Sequence, residues 1–166
     1  MRKNMRAMLA AVACLLAVSV LTGCTIHLRF YPVQGAIAAA TPNQVFAGKI
    51  TASSAFNPKS GGFSAVLGDG ETFRGNWSMV GTAAAGKDEV DAGPGTKPIS
   101  NAWDAVYGPG YYVAHVLGQR QYGRSVSTGS KGTVLQVEIC STAATAEQTK
   151  AVAQDSKGNI YKVTPY

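Results

Sequence analysis

Three cysteines are the residues of this chain best suited to covalent chemistry, because a thiolate is a strong nucleophile. They are Cys14, Cys24 and Cys140. Cys140 ends a run of alternating apolar and polar residues, and a catalytic thiol there would need a histidine or a cation beside it. Nothing in the sequence brings His27 or His115 to that position. Cys140 is therefore expected to be a passive thiol at the end of a strand.

The first two cysteines lie in or just after an N-terminal segment that has the layout of an export signal. Arg2, Lys3 and Arg6 precede an almost unbroken apolar run from Ala7 to Leu21. As a helix, about 15 residues would span about 22 Å, less than the roughly 30 Å hydrocarbon core of a bilayer. The run is therefore expected to direct export and then to be removed, as part of residues 1–23.

The residues Leu21, Thr22, Gly23 and Cys24 resemble the lipobox of bacterial lipoproteins, in which small residues precede an obligatory cysteine. In that family the cysteine receives a thioether-linked diacylglycerol, a dedicated peptidase cuts just before it, and the new amino terminus is often acylated as well. The resemblance implies that Cys24 is lipidated. The alternative is an ordinary secretory signal followed by a chance cysteine.

Lipidation would anchor the mature chain to one leaflet without spanning the membrane, since two or three acyl chains hold a protein stably. In lipoproteins of double-membraned bacteria, Asp after the cysteine commonly directs retention at the inner membrane. This chain has Thr25 at that position. The resemblance therefore implies the cell outer membrane, for a source that has two membranes, with the membrane itself as a partner.

The net charge says little about any other partner once the signal is set aside. The chain carries 15 Lys and Arg against 9 Asp and Glu, a formal +6, and the signal holds three of the cations. Without these three cations, the net charge of the exported chain is too small to favour nucleic-acid binding.

One modest concentration of cations remains, at Arg120, Arg124 and Lys131 around Tyr122. It is a candidate site for an anionic partner, namely lipid headgroups, an envelope glycan or a protein. The alternative is the connection of a soluble hairpin, whose charges discourage edge pairing.

The usual patterns of hydrolases and metal sites are missing. Residues 81–87 have the spacing of a phosphate-binding loop, but Asp88 stands where Ser or Thr should hold magnesium. Asp88, Glu89 and Asp91 do not have the spacing of a calcium loop, so a solvated acidic loop is expected. No catalytic residue, metal or cofactor is predicted.

Glycine is frequent, with 19 in 166 residues, against a usual share of about 7%. The glycines separate short apolar runs, a pattern that favours strands joined by turns. Two hairpins are clearest, one over residues 63–79 around an Asp-Gly turn and one over residues 151–163. Further strands are predicted at residues 26–30, 46–52, 111–117 and 133–140.

The sequence therefore predicts an all-β fold, an antiparallel meander of about seven or eight short strands that forms a small barrel or a two-sheet sandwich. At most one short helix is expected, at residues 101–107, between Ser100 as its cap and Gly108 as its end. Residues 24–43 are interpreted as the lipidated N-terminus with a tether or the first strand. Residues 44–166 are interpreted as a single β-domain.

Two hairpin motifs resemble those of small β-rich bacterial lipoproteins. They are Gly70-Glu71 and the terminal Asp-x-x-Gly-Asn-x-Tyr segment from Asp155 to Tyr161. This resemblance implies no catalytic residue.

Three functions remain open at this point. The leading hypothesis is a lipid-anchored, non-enzymatic interaction or structural module of the cell envelope. The alternative is a small-ligand carrier whose barrel interior accepts an apolar or glycan ligand, lined by Trp77, Trp103 and tyrosines. The third is an envelope hydrolase, which would need a cleft that brings His115 to Cys140 or to a carboxylate.

Overall fold

Eight antiparallel strands form the frame of the molecule in a computed structural model, which describes residues 24–53, 59–80, 98–118, 122–141 and 149–166. The strands, numbered β1 to β8 in chain order, are Thr25–Gln34, Phe46–Ala52, Ser60–Leu67, Glu71–Val80, Tyr122–Thr128, Val134–Ser141, Thr149–Asp155 and Ile160–Pro165. Each strand pairs with the next one along the chain, and β8 pairs back onto β1. The fold is therefore a closed up-and-down barrel, which confirms the all-β prediction and decides for a barrel over a sandwich.

Side chains fill the interior of this barrel. Because successive strand residues point to opposite faces, Leu28 and Phe30 of β1 point inward while Arg29 points outward. The same alternation in the other strands builds one apolar cluster, made of Leu28, Phe30, Phe46, Ile50, Phe63, Ala65, Leu67, Phe73, Leu135, Val137, Ala151, Ala153, Tyr161 and Val163. Eight strands give an interior just wide enough for side chains to fill.

The side chains inside the barrel are closely packed around Gly48 of β2. A Cβ atom on Gly48 would lie 2.7 Å from a ring carbon of Phe30. The missing side chain leaves room for the aromatic ring, whose edge faces the ring of Tyr161 at 6.3 Å between centroids.

A short helical layer covers one side of the barrel from outside. It consists of helix α2, Ser100–Tyr107, and a π-helical turn, Tyr112–Val116. Helix α1, Ala36–Ala40, follows β1. The layer packs on outward-facing residues of β5 to β8 and forms a second apolar cluster, made of Ile99, Ala102, Trp103, Tyr112, Val116, Tyr122, Cys140, Val152 and Ile160. Many outward-facing residues of β1 to β4 stay exposed, although the layer contacts β1 and packs against Val80 of β4.

The strand predicted at residues 111–117 is wrong, because the chain there forms the π-helical turn. The carboxylate of Asp104, on helix α2, accepts hydrogen bonds from the backbone N–H groups of Gly110 and Tyr112, at 3.1 and 3.0 Å. These bonds hold the start of the turn against α2. The apolar run that suggests a strand also matches helical spacing, with Tyr112 and Val116 buried on one face.

Strand β5 is absent from the sequence-based prediction, which placed a hairpin connection there. Its inward-facing positions Ser125 and Ser127 are small and polar although buried, so the usual apolar alternation is missing. The segment that joins β4 to β5 therefore carries the helical layer, and β5 itself completes the barrel wall between β4 and β6.

The sequence predicts either a tether or the first strand for residues 24–43, and residues 25–34 form the first strand. This strand, β1, pairs with β2 and β8 and so belongs to the barrel. Every strand pairing and both apolar clusters lie between residues 25 and 165. A chain that starts at Cys24 therefore keeps all the described contacts of the fold.

Replacement of Phe30 by alanine should lower the free energy of unfolding by about 3–5 kcal/mol, because it leaves a cavity in a filled interior. Urea denaturation followed by tryptophan fluorescence measures this. The control is Val66→Ala, since Val66 points outward and is 48% exposed, and it should change stability by no more than about 0.5 kcal/mol. Equal losses in the two variants would contradict the filled interior.

Candidate functional site

Cys24 lies at one end of the barrel, directly before β1, and is exposed. Its carbonyl accepts a hydrogen bond from the backbone N–H of Ala52, at 2.9 Å. The last residue, Tyr166, lies nearby, with its N–H bonded to the carbonyl of His27 at 3.0 Å. We call this the Cys24 end and the opposite end, where β3 turns into β4, the Glu71 end. The chain enters the barrel wall immediately after Cys24, with no spacer.

The structure does not bring together the four residues predicted to bind an anionic partner. Arg120 lies outside the described residues. Tyr122 is fully buried beneath the helical layer, and Arg124 on the same strand pairs with Glu138. Lys131 lies at the Glu71 end, in the turn between β5 and β6, where its Nζ is 2.6 Å from a carboxylate oxygen of Asp69. Tyr122 and Arg124 contact each other, because Arg124 Nη2 donates to the Tyr122 hydroxyl at 3.3 Å, whereas Lys131 lies apart from them at the Glu71 end.

Arg124, Glu138 and Trp103 form a buried polar link between the barrel and helix α2. The Arg124 Nη2 and Nε atoms donate to Oε1 of Glu138 at 3.0 and 3.2 Å. The Trp103 Nε1–H donates to the other carboxylate oxygen at 2.9 Å. The side chain of Glu138 has no exposed surface, so both of its oxygens need these donors. Glu138 thus fastens the helical layer to β6.

Cys140, the candidate for a passive thiol, lies two residues further along β6 and is buried. Burial raises the pKa of its thiol to about 11, and the nearby carboxylate of Glu138 adds to the shift. His27 contacts the Tyr166 ring and His115 contacts the Tyr111 ring. Among the described residues, neither histidine is hydrogen-bonded to Cys140. A protonated thiol without a base is a poor nucleophile.

Glu71 holds three turns together at its end of the barrel. Its Oε1 accepts the backbone N–H groups of Lys131 and Thr133 at 3.0 and 3.1 Å. Its Oε2 accepts the Thr133 hydroxyl at 2.6 Å and the Lys157 ammonium at 3.3 Å. Burial opposes ionisation of Glu71, but these four donors outweigh it and hold the pKa of the carboxyl below its ordinary value.

Asp155 organises the last hairpin in the same way. It accepts hydrogen bonds from the backbone N–H groups of Lys157 and Asn159, from the side-chain amide of Asn159 and from the Tyr161 hydroxyl, at 2.8 to 3.2 Å. The Asn159 side-chain oxygen in turn accepts the N–H of Ile37 in helix α1, at 3.0 Å. The Asp-x-x-Gly-Asn-x-Tyr motif therefore stabilises the turn of this hairpin.

A cavity of about 260 Å³ lies at this end, beneath α1. Apolar groups from Ile37, Leu67 and Phe73 line it together with the polar groups of Glu71 and Asp155. Ligand sites for drug-sized molecules are usually about 300–1,000 Å³. This cavity is smaller, and its polar groups already satisfy one another.

A larger groove of about 410 Å³ runs across the outside of β1 to β4. Its lining includes His27, Lys49 and Arg74, with Ser64 between the two long cationic side chains. Sequence reasoning missed this groove because His27, Lys49 and Arg74 come from three separate strands. Only the pairing register of the strands brings them into one row.

Two of the sequence motifs lie outside the described residues. They are the loop of residues 81–87 and the acidic group Asp88, Glu89 and Asp91. No group of three His, Cys, Asp or Glu side chains suited to a metal ion occurs in the part of the chain that the structure describes. No helix in that part has the length and apolar character needed to cross a membrane.

Comparison of the chain with protein-family models, with curated proteins and with solved structures finds no match. Its function therefore has to be argued from its own residues and their geometry.

The Cys140 thiol should resist labelling in the folded protein, because at a pKa of about 11 only roughly one thiol in a thousand is ionised at pH 8. In a chain that starts at residue 24 and carries no lipid, Cys24 serves as the exposed internal control. Ellman's reagent should react quickly with one thiol of the native protein and with both after denaturation. Equal reaction of both thiols in the native protein would contradict the burial of Cys140.

Glu71→Gln should destabilise the barrel by about 1–3 kcal/mol at pH 7, because charge-assisted hydrogen bonds to a buried group are lost. The folded pKa of Glu71 is lowered, so its stabilising contribution is complete above the unfolded pKa of about 4.3. That contribution is lost as the pH falls through the lower, folded value. Urea denaturation at a series of pH values should therefore show the difference between wild type and variant shrinking in acid.

The control for this experiment is Asp69→Asn, since Asp69 is exposed and makes a surface ion pair with Lys131. Surface pairs contribute little to stability, so this variant should differ much less from wild type. A Glu71→Gln penalty that stays constant down to strongly acid pH would show that the charge of Glu71 does not stabilise the fold.

Proposed function

We propose that this protein is a lipoprotein of the bacterial cell envelope, anchored through Cys24, whose barrel serves as a non-enzymatic interaction or structural module. The observation that carries the proposal is the position of Cys24. It follows an export signal and a lipobox-like sequence, it is exposed, and the barrel begins at the next residue. A lipid on Cys24 would hold one end of a rigid barrel directly against a leaflet.

The filled interior favours a module over a carrier. The apolar cluster occupies the space that a ligand would need inside an eight-stranded barrel. Trp103, one of the two tryptophans proposed to line a ligand cavity, lies on helix α2, outside the barrel wall. Trp77 packs partly against the inner cluster and donates its indole N–H to the Thr51 carbonyl at 3.0 Å. A carrier would have to bind its ligand outside this cluster, for example in the cavity of about 260 Å³ at the Glu71 end or in the outer groove of about 410 Å³.

The partners of Asp104, Glu71 and Asp69 also support a non-enzymatic role. Asp104 accepts two backbone N–H groups, and Glu71 accepts four donors from the turns around it. Asp69 pairs with Lys131. Each of these carboxylates therefore has a structural role. Among the described ring and hydrogen-bond contacts, His115 contacts only the Tyr111 ring.

Incorporation of radiolabelled palmitate in a bacterial host tests the anchor. The wild-type chain should take up label and should fractionate with membranes, whereas Cys24→Ser should take up none, because the acceptor thiol is gone. The matched control is Cys140→Ala, which removes the other thiol of the mature chain and should keep full label. Undiminished label in Cys24→Ser would defeat the proposal, and a small molecule released from the purified protein on denaturation would favour the carrier.

A further inference from the structure

The uncovered side of the barrel is basic. Strands β1 to β4 and the part of β8 beyond Ile160 form this side, and the structure describes all of these strands in full. On their outward-facing positions they carry four exposed Lys and Arg side chains and no Asp or Glu. We call this surface the basic face, and its cations are Arg29, Lys49, Arg74 and Lys162.

The register of the strands arranges part of this face as a row. His27 lies opposite Lys49, Lys49 opposite Ser64, and Ser64 opposite Arg74. Neighbouring strands are about 4.8 Å apart, so the Lys49 and Arg74 backbones are separated by about 10 Å. The small Ser64 side chain between them leaves the groove of about 410 Å³ open to solvent.

The carboxylates of the described residues are already engaged elsewhere. Two lie within the network at the Glu71 end, one caps the π-helical turn, one fastens helix α2, and one pairs with the β5–β6 turn. They are Glu71, Asp155, Asp104, Glu138 and Asp69. In the described part of the chain, no carboxylate lies within ion-pair distance of Lys49, Arg74 or Lys162. These cations are therefore available to an anion from outside the molecule.

An aromatic side chain accompanies the cations near the Cys24 end. The Arg29 guanidinium lies 4.0 Å from the centre of the Tyr166 ring, and Tyr166 is 60% exposed. The His27 ring is 5.7 Å from the same ring. A tyrosine beside cations suits a boundary that is partly apolar and partly wet, as at the surface of a bilayer.

We infer that the basic face docks on an anionic phospholipid surface. The cations are spread over several strands and do not converge on one point, so they fit an array of headgroup phosphates better than a single small anion. His27 and Arg29 lie three and five residues beyond Cys24 on the same strand, which places them about 10 and 17 Å from the point of lipid attachment. A barrel tethered there and tilted towards β1 to β4 would bring these residues to the headgroups.

Docking of this kind adds a second membrane signal to the lipid. The two or three acyl chains of the proposed anchor would hold the protein at the leaflet, and the basic face would orient the barrel on it. The orientation of the docked barrel rests on the proposed anchor at Cys24. The attraction of the basic face to anionic lipid does not depend on that anchor. An experiment can therefore contradict either proposal and leave the other in place.

Vesicle sedimentation tests the inference on the chain that starts at residue 24 and carries Cys24→Ser, which has no lipid of its own. At low salt it should sediment with vesicles of phosphatidylglycerol mixed with phosphatidylcholine. It should stay in solution with vesicles of phosphatidylcholine alone. Added sodium chloride should release it, because the attraction is electrostatic and is screened within a Debye length.

A matched pair of double variants locates the surface. Lys49→Gln with Arg74→Gln should weaken binding by about 25-fold, at roughly fivefold for each cation removed near the headgroups. Lys131→Gln with Lys150→Gln removes the same net charge from positions off the basic face and should stay within about twofold of wild type. Both doubles should keep the wild-type melting temperature, since all four side chains are exposed.

Three results would overturn the inference. They are equal binding to the two kinds of vesicle, equal weakening by the two double variants, and binding to soluble dextran sulfate without binding to anionic vesicles. The last result would assign the face to a soluble polyanion. Absence of palmitate on Cys24 together with charge-dependent vesicle binding would defeat the anchor and leave the docking face in place.

Discussion

Pairing of β1 with β8 is the constraint on which the rest of the structure depends. This seam closes the sheet, removes both open edges and gives the inward-facing side chains a closed volume to fill. It also brings the start of β1 close to the end of the chain. Cys24 and Tyr166 meet at one rim because β1 begins and β8 ends there. The position of Cys24 relative to the barrel is thus set by the same hydrogen bonds that complete the fold.

The opposite rim shows how a small barrel closes its end with polar groups. Glu71 and Asp155 are buried carboxylates, and each is surrounded by donors from turns that are distant in sequence. Desolvation alone would make such groups costly. Together they tie the turns of three hairpins and helix α1 into one layer, and Asn159 provides the link to α1. The Gly70-Glu71 motif and the segment from Asp155 to Tyr161 therefore have a structural explanation at this rim.

Seven of the eight strands could be predicted from the sequence, because their inward positions are apolar and their turns contain glycine. Strand β5 could not, since Ser125 and Ser127 face inward where the pattern requires apolar side chains. The run at residues 111–117 was ambiguous between strand and helix, and contacts from Asp104 decide for a helical turn. The basic face could not be predicted from the sequence either, because the cross-strand register determines which cations become neighbours.

The helical layer explains why the two sides of the barrel differ in charge. Over β5 to β8 it buries outward-facing residues, and a cation there needs a buried partner, as Arg124 has in Glu138. On β2 and β4, Lys49 and Arg74 are exposed, so they can stay hydrated without a carboxylate. A filled interior leaves the outer wall as the main surface for recognition. The insertion between β4 and β5 thus restricts that surface to the side whose first strand begins at Cys24.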